Sequence, residues 1–190
     1  MLWFYEGFFP VVWLAYLVYW RIAARSVKTT EQLESMPSRA TRTVAILIAV
    51  ALMSLPNIPI PWLYRHFLQP PLVCFWIGAA VTVAGLLFAI WARVHIGRNW
   101  SSAVTIKQDH ELITSGPYAL VRHPIYTGLL TALLGTALAM TEYRGLIAFL
   151  FFFFPLWYKL RLEEKWMRAQ FGQTYADYSR HTAALIPWLI

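Results

Sequence analysis

His110-Glu111-Leu112-Ile113-Thr114-Ser115-Gly116-Pro117-Tyr118, followed by Val121-Arg122-His123-Pro124-Ile125-Tyr126-Thr127-Gly128, lies between two strongly apolar segments. Polar and ionisable residues this close to hydrocarbon are costly and mark a site more often than a scaffold. Working outward, the chain is 59% hydrophobic and 13% charged over 190 residues. A soluble domain is about 45–50% apolar and about 25% charged, so this excess places the chain in a bilayer. Ten Trp and ten Tyr suit the lipid–water boundary. The one cysteine, Cys74, sits in an apolar run and reads as a small hydrophobe. No Cys/His spacing suited to a metal is present.

A membrane helix needs roughly 17–25 apolar residues. Candidate spans are 3–20, 43–63, 72–92, 125–140 and 145–160, with the second expected to stop near Leu55 because Pro56, Pro59 and Pro61 follow. The last two are joined only around Thr141–Arg144, which predicts an antiparallel helical hairpin. The first apolar run has no basic residue before it and contains Glu6, unlike a cleavable signal peptide. With five spans, fourteen of the sixteen Lys and Arg residues fall on one side, and only Arg65 and Arg144 on the other. The positive-inside rule then puts the N-terminus outside and the C-terminus in the cytoplasm. The net charge of +7 is thus a topology signal, and no nucleic-acid motif accompanies it.

The fold class expected is an all-α integral membrane protein of about five transmembrane helices, ending in a cytoplasmic amphipathic helical segment. Residues 1–190 form a single membrane domain, with three spans in 1–92 and the loop, hairpin and interfacial helices in 93–190. Past residue 160, Leu162, Trp166 and Ala169 make an apolar stripe against Glu163, Glu164, Lys165 and Arg168. Gly172 is expected to end or bend this helix, and Tyr175 and Tyr178 to continue an apolar face in a second short one. Residues 185–190 are expected to return to the interface.

Pro124 sits where the fourth span begins, a favoured position for proline. The helix start suits an anionic group, with Arg122 and His123 beside it. Tyr118 and Tyr126 offer flat surfaces for an adenine ring or a cationic centre. Gly128 admits a close backbone or ligand. Taken singly, Arg122 reads as a snorkelling anchor, His123 as a satisfied interfacial histidine, and Tyr118, Tyr126, Trp91 and Trp100 as belt residues. His66 and His181 receive no role. Clustered in one loop and one helical turn, the first group reads as a site. A second cluster, Lys159, Arg161, Glu163 and Glu164, ends the fifth span. The hairpin brings Glu163 near His123 and Tyr126. The two adjacent carboxylates are expected to diverge, one into the site and the other toward solvent or a basic neighbour.

These residues spell HxLxxxGPYxxxRHPxYxG, followed by Arg-x-Glu-Glu at 161–164 and Phe-Gly-x-x-Tyr-x-x-Tyr at 171–178. From about Ala92 to Pro187 the pattern resembles the isoprenylcysteine carboxyl methyltransferase family, part of a wider group of small membrane methyltransferases that includes phospholipid methyltransferases. The compact form is similar to prokaryotic members, implying the inner (cell) membrane. The resemblance implies an S-adenosyl-L-methionine-dependent methyltransferase whose cofactor contacts fall on His110, Glu111, Leu112, Ile113, Tyr118, His123, Pro124, Ile125, Tyr126 and Glu163, with Arg122 beside them. The family's substrate-orienting arginine aligns with Lys159, and Arg161 lies two residues on; either can orient an anionic acceptor. An amine acceptor would need deprotonation, by Glu164 or by water. The implied partners are membrane lipid and a lipophilic or lipidated substrate. Two alternatives stand beside this reading: an NADPH-dependent membrane reductase of the sterol-reductase type, and a non-catalytic membrane binding protein on the same fold.

Overall fold

The computed structural model describes residues 2–25, 36–69, 71–97, 100, 112–187 and 189. His110 and Glu111 therefore lie outside the described residues. Five long helices carry the fold: α1 (Leu2–Ala23), α2 (Met36–Ser54), α3 (Pro71–Ile96), α5 (Pro124–Met140) and α6 (Tyr143–His181). A 3-10 turn (Pro61–Tyr64) follows α2, and a one-turn helix α4 (Pro117–Leu120) precedes α5. Among the described residues there is no strand, only isolated bridges. The all-helical class expected above holds.

Two helical stretches, Leu72–Ile96 and Tyr143–His181, are long and apolar enough to cross a membrane. Gly7–Ala23 and Pro124–Met140 are apolar but shorter. The five helices fall on the five expected segments, with longer ends. α2 begins at Met36, seven residues before the expected 43, because an amphipathic turn with Arg39 and Arg42 precedes its apolar run. α6 does not stop at 160. It is helical to His181, broken only at Gly172 (φ 51°, ψ −122°). No Gly or Pro intervenes between Leu156 and Phe171, so the change from apolar to charged surface costs the backbone ladder nothing.

α3 and α5 form the centre of the bundle as an antiparallel pair in backbone contact. A Cβ on Gly78 would lie 2.4 Å from the Gly135 carbonyl, and one on Gly128 2.5 Å from the Gly85 carbonyl. Such small-residue seams let helices approach where lipid offers no hydrophobic drive. The close approach expected at Gly128 is thus by backbone, that of α3. Thr82 Oγ1 donates to the Ala132 carbonyl at 3.1 Å across the same seam. α1 packs on this pair through Tyr16 against Leu86, Ala89 and Ala132, and Trp13 Nε1 donates to Thr136 Oγ1 at 3.2 Å.

The α5–α6 hairpin turns at Thr141, whose φ of 55° is left-handed. The segment after α2 braces this turn. His66 Nδ1 lies 2.6 Å from Thr141 Oγ1, and the Phe67 amide donates to the Thr141 carbonyl at 2.8 Å. His66, given no role by the sequence, is a strut. At the other end of α5, the terminal segment folds back on its start. The Arg122 and His123 amides donate to the carbonyls of Ala183 (2.8 Å) and Ala184 (3.0 Å), and Thr127 Oγ1 donates to that of Leu185 at 2.6 Å. Residues 183–185 therefore dock on the motif itself.

Candidate functional site

The site is assembled where α5 starts and α6 passes beside it. Pro124 and Ile125 are buried at the first turn, and His123 is the N-cap residue, with no side-chain hydrogen bond capping the turn. The fixed φ of Pro124 starts the helix directly after His123, which places His123 and Tyr126 one turn apart on one face. Their rings stack, with centroids 5.5 Å apart and planes 1° from parallel. From α6, Glu163 accepts a hydrogen bond of 2.6 Å from the Tyr126 hydroxyl on Oε1, and its Oε2 lies 3.6 Å from His123 Nδ1. Lys159, one turn earlier on α6, points the same way. Its Nζ is 3.5 Å from Glu163 Oε1 and 5.4 Å from the Tyr126 ring centre.

Glu164 turns aside to a basic neighbour. Arg122 donates to its Oε1 from Nε at 2.8 Å and pairs with it through Nη2 at 2.6 Å. The same guanidinium reaches the carbonyls of Ser179 (3.1 Å) and Thr182. Arg122 thus pins the terminal segment of α6 to the start of α5. Burial alone would raise the Glu164 carboxyl, but His123 and Arg122 facing it hold it down at about 2. A carboxylate so committed is a poor proton acceptor at neutral pH. His123 Nε2 lies 3.5 Å from Glu164 Oε1, is buried, and has no hydrogen-bond partner. A buried unsatisfied nitrogen is expensive unless a ligand completes it.

The remaining predicted residues divide. Tyr118 and Ile125 are core, packed with Ala92, and Ile113 and Tyr126 lie against them. Burial pushes the Tyr178 hydroxyl up to about 12, and it donates to the Tyr118 carbonyl at 2.5 Å. Leu112 is half-buried on the approach to this loop. Gly116, with φ of 60°, leaves room for the His95 ring, whose Nε2 is 2.9 Å from Ser115 Oγ. Arg161 is exposed and lies over the Trp157 ring at 5.9 Å, away from the cluster that holds Lys159. The sequence left these two cations open; two residues of helix rotate them to opposite faces. Sequence reasoning missed the bracing by Ser179 and 182–185, where only backbone carbonyls take part and side-chain identity leaves no mark. Among the described residues, no group of His, Cys, Asp and Glu is placed to hold a metal ion.

The family model for phospholipid methyltransferases matches residues 73–174, more than half the chain, including His123, Tyr126, Lys159, Glu163 and Glu164 but not the 178–185 segment that braces them. The chain belongs to the phospholipid methyltransferase family. Its fold is similar to that of the eukaryotic intramembrane Ras methyltransferase, isoprenylcysteine carboxyl methyltransferase (TM-score 0.52, 25% identity, covering 83% of this chain and 55% of that one). The cobalt-zinc-cadmium resistance protein CzcN of Cupriavidus metallidurans is 35% identical over 117 residues, 60% of this chain and 52% of that protein. A probable protein-S-isoprenylcysteine O-methyltransferase of Oryza sativa subsp. indica is 28% identical over 134 residues, 67% of this chain and 70% of that protein. The chain spans about half the length of CzcN and of the nickel-cobalt-cadmium resistance protein NccN of Alcaligenes xylosoxydans xylosoxydans. Family membership and the apolar helices together give the chain membrane character.

Proposed function

We propose that the protein is an S-adenosyl-L-methionine-dependent methyltransferase acting on the carboxylate of a lipophilic acceptor, isoprenylcysteine-like or another lipid, at the cytoplasmic face of the membrane. The observation that carries the reading is the convergence of His123, Tyr126, Lys159 and Glu163 at the joint of α5 and α6. The cofactor is zwitterionic, cationic at sulfur and aromatic at its base, and these residues suit it. Glu163 offers a carboxylate, the stacked His123 and Tyr126 offer ring faces, and buried His123 Nε2 has a hydrogen-bonding position to fill. Leu112, Ile113, Tyr118, Pro124 and Ile125 would wall the site, and Arg122 would hold that wall together. When bound, S-adenosylmethionine supplies a methyl group already activated by the sulfonium.

The protein's own task is alignment and exclusion of water, which contributes several kcal/mol when reacting atoms are held in line. A carboxylate acceptor is ionised at neutral pH and needs no base, which agrees with Glu164 being locked to Arg122. Lys159, buried and beside Glu163, is the cation that would orient the acceptor; Arg161 points elsewhere. Methyl transfer is favoured over NADPH reduction by the family match and by relatives named as methyltransferases. Five spans, an outer N-terminus and a cytoplasmic C-terminus, as in a prokaryotic inner membrane, agree with the distribution of Lys and Arg. The test is transfer of labelled methyl groups from S-adenosylmethionine into a lipid extract by the purified protein. Label should enter an apolar, alkali-labile ester. Lys159→Ala should lower the rate at least about ten-fold, the weight of one charge-assisted contact, and Arg161→Ala should leave it within about two-fold. Absence of labelled lipid, or equal loss in both variants, would contradict the assignment.

A further inference from the structure

The family model begins at residue 73 and leaves out α2, yet α2 lies along α6, the helix that carries Lys159 and Glu163. α2 packs against α6. Its C-terminal end is fixed by Arg144 at the start of α6, whose Nη1 donates to the carbonyls of Leu55 (2.7 Å) and Leu52 (3.4 Å). The two helices therefore run antiparallel, and their register can be followed from that point. At 1.5 Å per residue, Arg42 lies about 15 Å back from Leu52, and Lys159 about 22 Å on from Arg144. An extended arginine side chain spans that difference. The rotation agrees as well. Ala49 is 2% exposed and marks the packed face of α2; Arg42 is seven residues, or two turns, before it on the same face. Arg42 is half-buried on the face of α2 that packs along α6, the helix whose Glu163 accepts from the Tyr126 hydroxyl. Arg39, one turn nearer the helix start, is exposed, with its guanidinium against Met36 Sδ at 4.0 Å.

We infer that Arg42 is an acceptor-binding residue, which with Lys159 forms a two-cation clamp, one cation from each of two antiparallel helices, for the carboxylate head of a lipophilic acceptor. The proposal rests on the methyl-transfer reading above and adds a determinant of acceptor choice from outside the part of the chain that carries the family signature. Each helix supplies one cation, Arg42 reaching along α2 toward the level of Lys159, so the head group is held between α2 and α6 while an apolar tail lies along their lipid-facing sides. A guanidinium suits this position because it offers a planar pair of donors to a carboxylate.

The experiment measures two affinities on the full chain in lipid nanodiscs. One is for S-adenosylmethionine. The other, in the presence of S-adenosylhomocysteine, is for N-acetyl-S-farnesylcysteine as a carboxylate probe and for its methyl ester as the neutral counterpart. The carboxylate should bind at least ten-fold tighter than the ester. Arg42→Ala should weaken carboxylate binding at least ten-fold and leave the ester and S-adenosylmethionine unchanged. Arg42→Lys should recover most of the loss, and Arg39→Ala should change nothing. Equal binding of acid and ester by the unaltered protein, or full carboxylate affinity in Arg42→Ala, would overturn the clamp. Loss of S-adenosylmethionine binding by the unaltered protein would instead overturn the cofactor reading.

Discussion

His123 sits between two carboxylates, Glu163 3.6 Å from its Nδ1 and Glu164 3.5 Å from its Nε2, and the division of labour between them is the main lesson at the residue scale. Adjacent on α6, they point to different partners: Glu163 toward Tyr126 and Lys159, Glu164 toward Arg122. The first pair keeps ring faces and charge together at one place; the second ties the chain's end to the start of α5. The sequence announced the divergence but not its use. RHP and Arg-x-Glu-Glu are readable as motifs, yet nothing in their spacing says that Arg122 is consumed by Glu164, Ser179 and Thr182. The tie has a measurable signature. The Glu164 carboxyl is free at 4.5 and held at about 2 in the fold. A depressed carboxylate stabilises the fold above about pH 4.5, and that contribution is lost progressively as pH falls toward 2. Thermal unfolding in detergent should therefore show a drop in Tm between pH 5 and 3 that is smaller in Glu164→Gln, a variant less stable at pH 7. Parallel acid profiles would remove Arg122–Glu164 as the clasp.

At the element scale, length and type were legible because apolar runs and proline positions mark helices directly. The proline cluster after Leu55 stopped α2 at Ser54, and Pro124 opened α5 where expected. The continuity of α6 was not legible, because a change from lipid-facing to charged residues looks like a boundary while the helix ladder ignores it. The α3–α5 seam was written in the seven-residue spacing of Gly78 and Gly85 against Gly128 and Gly135, but pairing the two sets needs the antiparallel register that only the fold supplies. The clash at Gly85 would be with backbone atoms, the Ala132 amide nitrogen and Gly128 carbonyl at 2.6 Å, which no rotamer relieves. Gly85→Ala should cost about 1–3 kcal/mol, lowering Tm by about 2–4 °C per kcal/mol for a chain of this size. Gly7→Ala, with nothing within 4 Å of the added carbon, should leave Tm unchanged or raise it slightly, since alanine favours helix. Equal tolerance at both positions would show that the seam does not hold the bundle.

Across the whole molecule, the hairpin turn marks the start of α6 and the site its middle. The brace formed by His66, Thr141 and Arg144 stands at the start of α6, and the cluster of Lys159, Glu163 and Glu164 lies about four to six turns further on. A groove of about 360 Å³ lined by Pro56, Asn57, Ile58, Pro59 and Tyr64 belongs to the end with the brace, so its space is not part of the site. The orientation proposed here makes a direct prediction. In a Cys74→Ala background, Asn57→Cys should react with a membrane-impermeant maleimide in intact spheroplasts, whereas Gln173→Cys should react only after permeabilisation. The reverse pattern would invert the topology and move the site to the outer face. The family came through in the sequence because its motif residues gather at one place, the joint of α5 and α6. The acceptor did not, because its contacts draw on α2, whose sequence reads only as apolar with a basic start.

The central claim is that His123, Tyr126 and Glu163 form a binding site for S-adenosylmethionine, and isothermal calorimetry on the purified chain tests it most directly. The unaltered protein should bind S-adenosylmethionine with one site per chain, and His123→Ala and Glu163→Gln should each weaken binding at least about ten-fold, the scale of one hydrogen bond to a charged group. Unchanged affinity in both variants would contradict the account.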